Sequence, residues 1–170
     1  MIVKLRKIEL SDTANIVKWR NSDDVRRNLF TQAVLTEEQH INWFHTKVET
    51  GYCAQYIIEV IDNNIKADIG TTFIKGIDNI KGEGEFGIFI GESNFRGKHL
   101  ASSATKEMLR IGFEELVLNS VFLSVFDDNI PAKKTYERLG FEYLSKTEFI
   151  NKKKVLYMSI AKTKWEETMI

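Results

Sequence analysis

Little in this chain of 170 residues calls for a special environment. Cys53 is the only cysteine, which excludes an internal disulfide and the stapled scaffolds of small secreted proteins. Pro131 is the only proline, and no proline-rich linker or low-complexity stretch divides the chain. No run reaches the roughly 20 apolar residues of a membrane-spanning helix. The start, Met1-Ile2-Val3-Lys4-Leu5-Arg6, alternates apolar and basic residues and lacks the apolar core of a signal peptide. A cytoplasmic protein is the expectation. Net charge is missing as well: 24 Lys and Arg balance 24 Asp and Glu. That balance argues against a nucleic-acid or membrane-surface binder, which would carry excess positive charge.

What remains is an ordinary globular composition, 43% hydrophobic and 28% charged, expected to form one domain over residues 1–170. Ile2–Ile8 alternates with period two and predicts a strand. Ser11 is expected to cap a helix reaching Trp19, followed by a short helical stretch over Asp23–Leu29. Thr36-Glu37-Glu38-Gln39 fits a capping box opening a helix to about Val48, which Gly51 stops. Ala54–Ile61 and Lys66–Lys75 predict a hairpin across Asp62-Asn63-Asn64. Gly84–Gly91 reads as a further strand, and a long helix is expected from Leu100 to Leu118. Ser120–Phe126 is apolar on both faces, as in a central strand. Asn129 caps a helix that tolerates Pro131 in its first turn and ends at Gly140. Strands at Phe141–Phe149 and Lys154–Ala161 close a last hairpin across Asn151-Lys152. The order predicts an α/β (α+β) fold: a mixed sheet with helices on both faces.

Two segments carry chemistry. Phe95-Arg96-Gly97-Lys98-His99-Leu100-Ala101 is a short basic loop between a strand and a helix. The first amides of a helix have no internal partner and its dipole adds positive charge, so the loop predicts an anion site. It has neither Walker nor Rossmann glycine spacing. Downstream lies Asn129-Ile-Pro-Ala132-Lys-Lys-Thr-Tyr136-Glu-Arg-Leu139-Gly140-Phe141.

Together these segments resemble the GNAT superfamily of acyl-CoA-dependent N-acetyltransferases. Its pyrophosphate loop reads Gln/Arg-x-x-Gly-x-Gly/Ala, which Arg96-x-x-His99-x-Ala101 matches at its first and last positions. His99 stands where the family has glycine, and histidine is among the residues enriched at positive φ. The resemblance implies about seven strands, splayed between the fourth and fifth to admit acetyl-CoA, with no metal. It assigns the donor to Phe89, Ile90 and Gly91, to Arg96, Gly97, Lys98, His99, Leu100 and Ala101, and to Asn129 and Lys134. It makes Tyr136 the general acid for the departing thiolate, though at helical spacing with Ala132 and Leu139 a core tyrosine reads as well. It offers Glu85 as the base that frees the amine. A carboxylate found on the fifth strand in some relatives is replaced here by Ser124.

The acceptor is expected among Trp19, Arg20, Asn21, His40 and Trp43. Aromatic and cationic groups there suit a ring and phosphates, although Trp19 and Trp43 read equally as core anchors. These elements resemble the enzymes of the pseudaminic-acid pathway, which implies a UDP-linked amino-deoxy sugar as the small-molecule partner. The alternatives are N-terminal acetylation of a protein such as a ribosomal protein, and a non-catalytic acyl-CoA-binding module. The edges of the last hairpin offer pairing for a homodimer.

Overall fold

A computed structural model describes residues 1–63 and 65–168. Asn64, in the expected turn at 62–64, lies outside the described residues. The strands are β1 (Ile2–Lys7), β2 (Cys53–Asp62), β3 (Ile65–Asp78), β4 (Glu83–Ile90), β5 (Ser120–Phe126), β6 (Glu142–Ile150) and β7 (Lys153–Ala161). The helices are α1 (Thr13–Asn21), α2 (Asp23–Arg26), α3 (Glu37–Trp43), α4 (Leu100–Arg110), α5 (Ile130–Arg138) and α6 (Lys162–Thr168). The seven strands form one sheet in the order β1-β2-β3-β4-β5-β7-β6. All neighbours are antiparallel except β4 and β5. No helix among the described residues is long and apolar enough to cross a membrane.

Side-chain alternation along the strands sends neighbours to opposite layers. Ile57 packs under α1 with Ile16 and Trp19, whereas Ile58 packs under α4 with Leu100 and Ala104. Helices therefore cover both faces. The β4–β5 pair is short: only Glu83, Gly84 and Glu85 pair with Ser120, Val121 and Phe122. Beyond that last rung the two strands part, and residues 86–90 leave one side of β4 unpaired with β5.

Several local expectations are corrected. Ser11 lies inside a 3-10 turn, and Asp12 stands at the start of α1, its carboxylate bonded to Arg6 at 2.7 and 2.8 Å. The helix after Asp23 ends at Arg26 rather than Leu29. Helices α3 and α4 each loosen into a π-helical turn, at Phe44–Val48 and Ile111–Glu115. The last hairpin forms as expected, with β7 lying between β5 and β6. A C-terminal helix, α6, went unpredicted; it buries Trp165 against Phe113 with ring centroids 5.3 Å apart.

Val117, at the end of the second π turn, has φ +56° although it is β-branched and 70% exposed. The left-handed region costs an L-residue about 1–2 kcal/mol, partly offset by the extra chain entropy glycine loses. Val117→Gly is therefore expected to stabilise the protein by roughly 0.5–1 kcal/mol, read as a higher urea midpoint at unchanged slope.

Candidate active site

Where β4 and β5 part, a cleft of about 1090 Å³ opens. Its donor wall starts in the basic loop. Gly97 and His99 both take positive φ, +73° and +59°, so the histidine does adopt the left-handed backbone expected of it. Two left-handed turns in three residues aim successive amides one way, an anion-binding concavity. Ser102 and Ser103 donate to the carbonyl of His99. The amides of residues 97–101 before them donate to no described backbone carbonyl. This row of free N–H groups at the start of α4 suits a pyrophosphate.

The expected cations of that loop are engaged elsewhere. The Arg96 guanidinium donates to the carbonyls of Ile90 and Gly91 at 3.0 and 3.1 Å, and to Asp24 Oδ2 at 2.7 Å. It ties the end of β4 to α2. Lys98 lies over the Phe95 ring, 5.4 Å from the centroid, and does not line the cleft. Arg96 lines the cleft with its charge tied to Asp24, so the free hydrogen-bond donors this loop offers are those of its main chain.

On β4 the register decides which backbone groups are free. Gly91 N–H donates to the Ile69 carbonyl, so odd-numbered residues bond β3 and even-numbered ones face the fork. Ile88 and Ile90 thus turn amides toward the cleft, whereas the polar groups of Phe89 are turned to β3. Gly91 sits outside the cleft because Trp19 covers it: a Cβ there would lie 2.1 Å from Trp19 Cγ.

Glu85 occupies the last paired rung. Its Oε1 accepts from Ser124 Oγ at 3.2 Å, and its Oε2 lies 3.5 Å from Lys75 Nζ. Ser124, on β5, thus donates to the carboxylate on β4. Phe86, next on β4, points to the opposite layer and meets the Tyr136 ring edge-on at 6.0 Å; Phe141 flanks it at 5.7 Å. Tyr136 is buried and lines the cleft, and among the described residues its hydroxyl has no hydrogen-bond partner. Burial pushes its phenol well above the ordinary range, so it stays protonated. Carboxylate and phenol therefore approach the fork from opposite faces. Asn129 accepts from Ala132 N–H at 3.4 Å, capping α5, and lines the cleft with Lys134.

Of the expected acceptor residues, Trp19 and Asn21 do not line the cleft. Trp19 is core, 3% exposed, with Nε1 donating to Glu92 at 2.7 Å. Asn21 makes two 2.8 Å bonds with the backbone of Leu35, pinning the α2–α3 loop. Arg20, His40 and Trp43 do line the cleft. His40 bonds Thr13 Oγ1 through Nδ1 at 3.0 Å, and its buried Nε2 has no partner among the described residues. Burial holds its pKa below the ordinary imidazole value against the pull of Asp12, which keeps it neutral. Trp43 donates to Gln55 at 3.2 Å. Arg20 is half-buried, bonds only the carbonyls of Thr31 and Ala33, and is depressed by burial and by Arg26. Phe73, Lys75 and Phe30 also line this end and were not foreseen. The pairing of Lys75 with Glu85 was readable in principle from the hairpin register, whereas nothing local marks Phe30.

Charge on the cleft wall is lopsided. Arg20, Arg27, Lys75, Arg96, Lys134 and Arg138 face two carboxylates, Asp24 and Glu85. Asp24 pairs with Arg96 and Arg27, and Glu85 with Lys75.

Comparison with known proteins bears on the family and the fold. The acetyltransferase (GNAT) domain family matches residues 3–142. The chain is 27% identical over 142 residues to the "uncharacterized N-acetyltransferase p20" of Bacillus licheniformis, covering 81% of this chain and 78% of that protein. Its fold is similar to that of spermidine N-acetyltransferase from Vibrio cholerae, solved with CoA and spermine (TM-score 0.85, 24% identity, 96% and 98% of the two chains). A dodecameric form of the Vibrio cholerae enzyme superposes with TM-score 0.79 at 22% identity, over 99% and 98% of the two chains.

Proposed function

The chain belongs to the GNAT acetyltransferase family, and we propose that it transfers an acetyl group from acetyl-CoA to the amine of a nucleotide-linked amino sugar, represented by a UDP-linked 4-amino-deoxy sugar. The observation that carries the acceptor is Arg20. A half-buried guanidinium beside Arg26, bonded to carbonyls and to no carboxylate among the described residues, favours an anionic ligand. Trp43, Phe73 and Phe30 supply ring surface in the same cleft. A polyamine, the substrate class in the name of the Vibrio cholerae neighbour, needs carboxylates for its remaining ammonium groups. Both carboxylates in this cleft are already paired with cations.

The chemistry follows from the two faces of the fork. An ammonium has no lone pair, so the amine must lose a proton before attack. Glu85 accepts it, directly or through water, from the α1–α3 face. The amine nitrogen then attacks the thioester carbonyl, and the charge growing on that oxygen is stabilised by a β4 amide such as Ile88 N–H. Collapse of the tetrahedral intermediate breaks the C–S bond, and Tyr136, on the α5 face, protonates the departing sulfur, whose conjugate thiol has a pKa of about 8.5. The proton that the attacking nitrogen loses as the amide forms goes to solvent, from which the phenol is reprotonated. Attack and departure on opposite sides keep base and acid from exchanging the same proton.

The test is release of free CoA thiol from acetyl-CoA with each acceptor in turn. A UDP-linked 4-amino-4,6-dideoxy sugar is expected to be acetylated well above spermidine and N-terminal peptides. Faster turnover of spermidine overturns the acceptor, and faster turnover of peptides favours the protein-acetylating reading. Calorimetric binding of acetyl-CoA without thiol release for any amine leaves only a binding module.

A further inference from the structure

We propose that Lys75 is a self-acetylation site: with no acceptor bound, its amine takes the acetyl group of acetyl-CoA held in the same chain's cleft. This rests on acetyl-CoA lying in the fork and on Glu85 acting as the base. Lysine is depleted from strands, where a long charged side chain packs poorly. Here β3 carries Lys75 between Cys53 on β2 and Glu85 on β4. Residues paired across strands share a face of the sheet. The amine is thus on the face from which Glu85 serves an acceptor.

Two contacts hold the amine at the base. Lys75 Nζ lies 3.5 Å from Glu85 Oε2 and 5.8 Å from the centre of the Phe73 ring. Phe73 in turn lies against Gly87, where a Cβ would come within 2.3 Å of its Cζ. Glu85 belongs to the last rung that pairs β4 with β5, so Lys75 stands where the fork begins. The other lysine lining the cleft is Lys134; it lies on α5 and pairs with no carboxylate among the described residues. The arginines of the cleft are not nucleophiles, because a guanidinium stays protonated. Lys75 is therefore the amine placed beside the base, as an acceptor's amine must be.

The step uses the groups that serve an external acceptor. Glu85 takes one proton from the Lys75 ammonium, and the lone pair this frees attacks the thioester carbonyl carbon. A C–N bond forms, the C–S bond breaks, and Tyr136 protonates the departing sulfur. The nitrogen keeps one proton and loses the other to solvent, which also takes the proton from Glu85 and restores that of Tyr136. The products are CoA and Nζ-acetyl-Lys75. An amine is a stronger base than a carboxylate, so the neutral amine is scarce and the step is slow beside turnover of a less basic acceptor. The acetamide carries no charge, so the pairing with Glu85 is lost once it forms.

Peptide mapping by mass spectrometry, after the whole chain is incubated with acetyl-CoA and no amine, reads the outcome. Lys18 and Lys81 are internal controls, exposed lysines beside carboxylates but outside the cleft. Acetyl-Lys75 is expected to accumulate roughly tenfold or more faster than acetylation at either, at a rate independent of protein concentration. Glu85→Gln is expected to slow Lys75 roughly 100-fold while leaving Lys18 and Lys81 unchanged. Lys75 and an acceptor need the same carboxylate, so a saturating amine that the enzyme acetylates is expected to protect Lys75. Lys75→Arg, which keeps a cation beside Glu85, is expected to abolish the slow thiol release seen without acceptor. Lys75 modified no faster than Lys18 and Lys81, equally fast in Glu85→Gln, or unprotected by the acceptor overturns the proposal. Where thiol release with an external amine persists in that case, the acetyltransferase function stands. Acetyl-Lys75 in a protein that prefers spermidine or peptides overturns the amino-sugar acceptor and supports the proposal.

Discussion

Tyr136→Phe is expected to lower kcat about 100-fold while leaving acetyl-CoA affinity and melting temperature close to wild type. The substitution keeps the ring wedged between Phe86 and Phe141. It removes only a hydroxyl with no hydrogen-bond partner among the described residues, a change that costs a fold little. The split between kcat and binding is what separates an acid from a core tyrosine. Burial holds the phenol protonated beyond the usual tyrosine range, so any basic limb of kcat near neutral pH belongs to another group. Unchanged kcat would return Tyr136 to the core.

Gly91→Ala is expected to destabilise the protein by about 3 kcal/mol, since a methyl group is forced into a filled core. The new Cβ would meet Trp19 at Cγ, Cδ1 and Cβ at 2.1, 2.4 and 2.5 Å. Trp19 cannot yield, being 3% exposed and bonded to Glu92. A fall of roughly 6–12 °C in melting temperature is the expected reading. Combining it with Trp19→Leu, which opens the space, should cost less than the sum of the two single changes. An additive result would contradict the packing.

These two residues show where sequence reasoning reaches and where it stops. The capping box at Thr36, the Asn129 cap, the Asn151-Lys152 turn and the left-handed His99 all follow from interactions within a few residues. Such local signals are readable in one dimension. Trp19, Asn21 and Arg96 are polar or aromatic residues next to the cleft whose partners lie far along the chain. Glu92, Leu35 and Asp24 take them up, and only the three-dimensional packing reveals this. The same holds for the crossing of β7 between β5 and β6, and for α6, whose one apolar anchor, Trp165, gives no helical period. The candidate donor wall was the more legible part because main chain forms it. The opposite end of the cleft, the candidate acceptor end, was legible only in part, because side chains from α1, α3, β3 and the loop between α2 and α3 converge there.

In the proposed function, acetyl-CoA lies in the fork, held by free amides of β4 and of the loop before α4. Amide hydrogen exchange with and without saturating acetyl-CoA tests it most directly. Slower exchange is predicted at Ile88 and Ile90 and across residues 97–101, the amides that lack a described backbone partner or face the fork. Unchanged exchange at these amides while the protein binds acetyl-CoA would contradict the account.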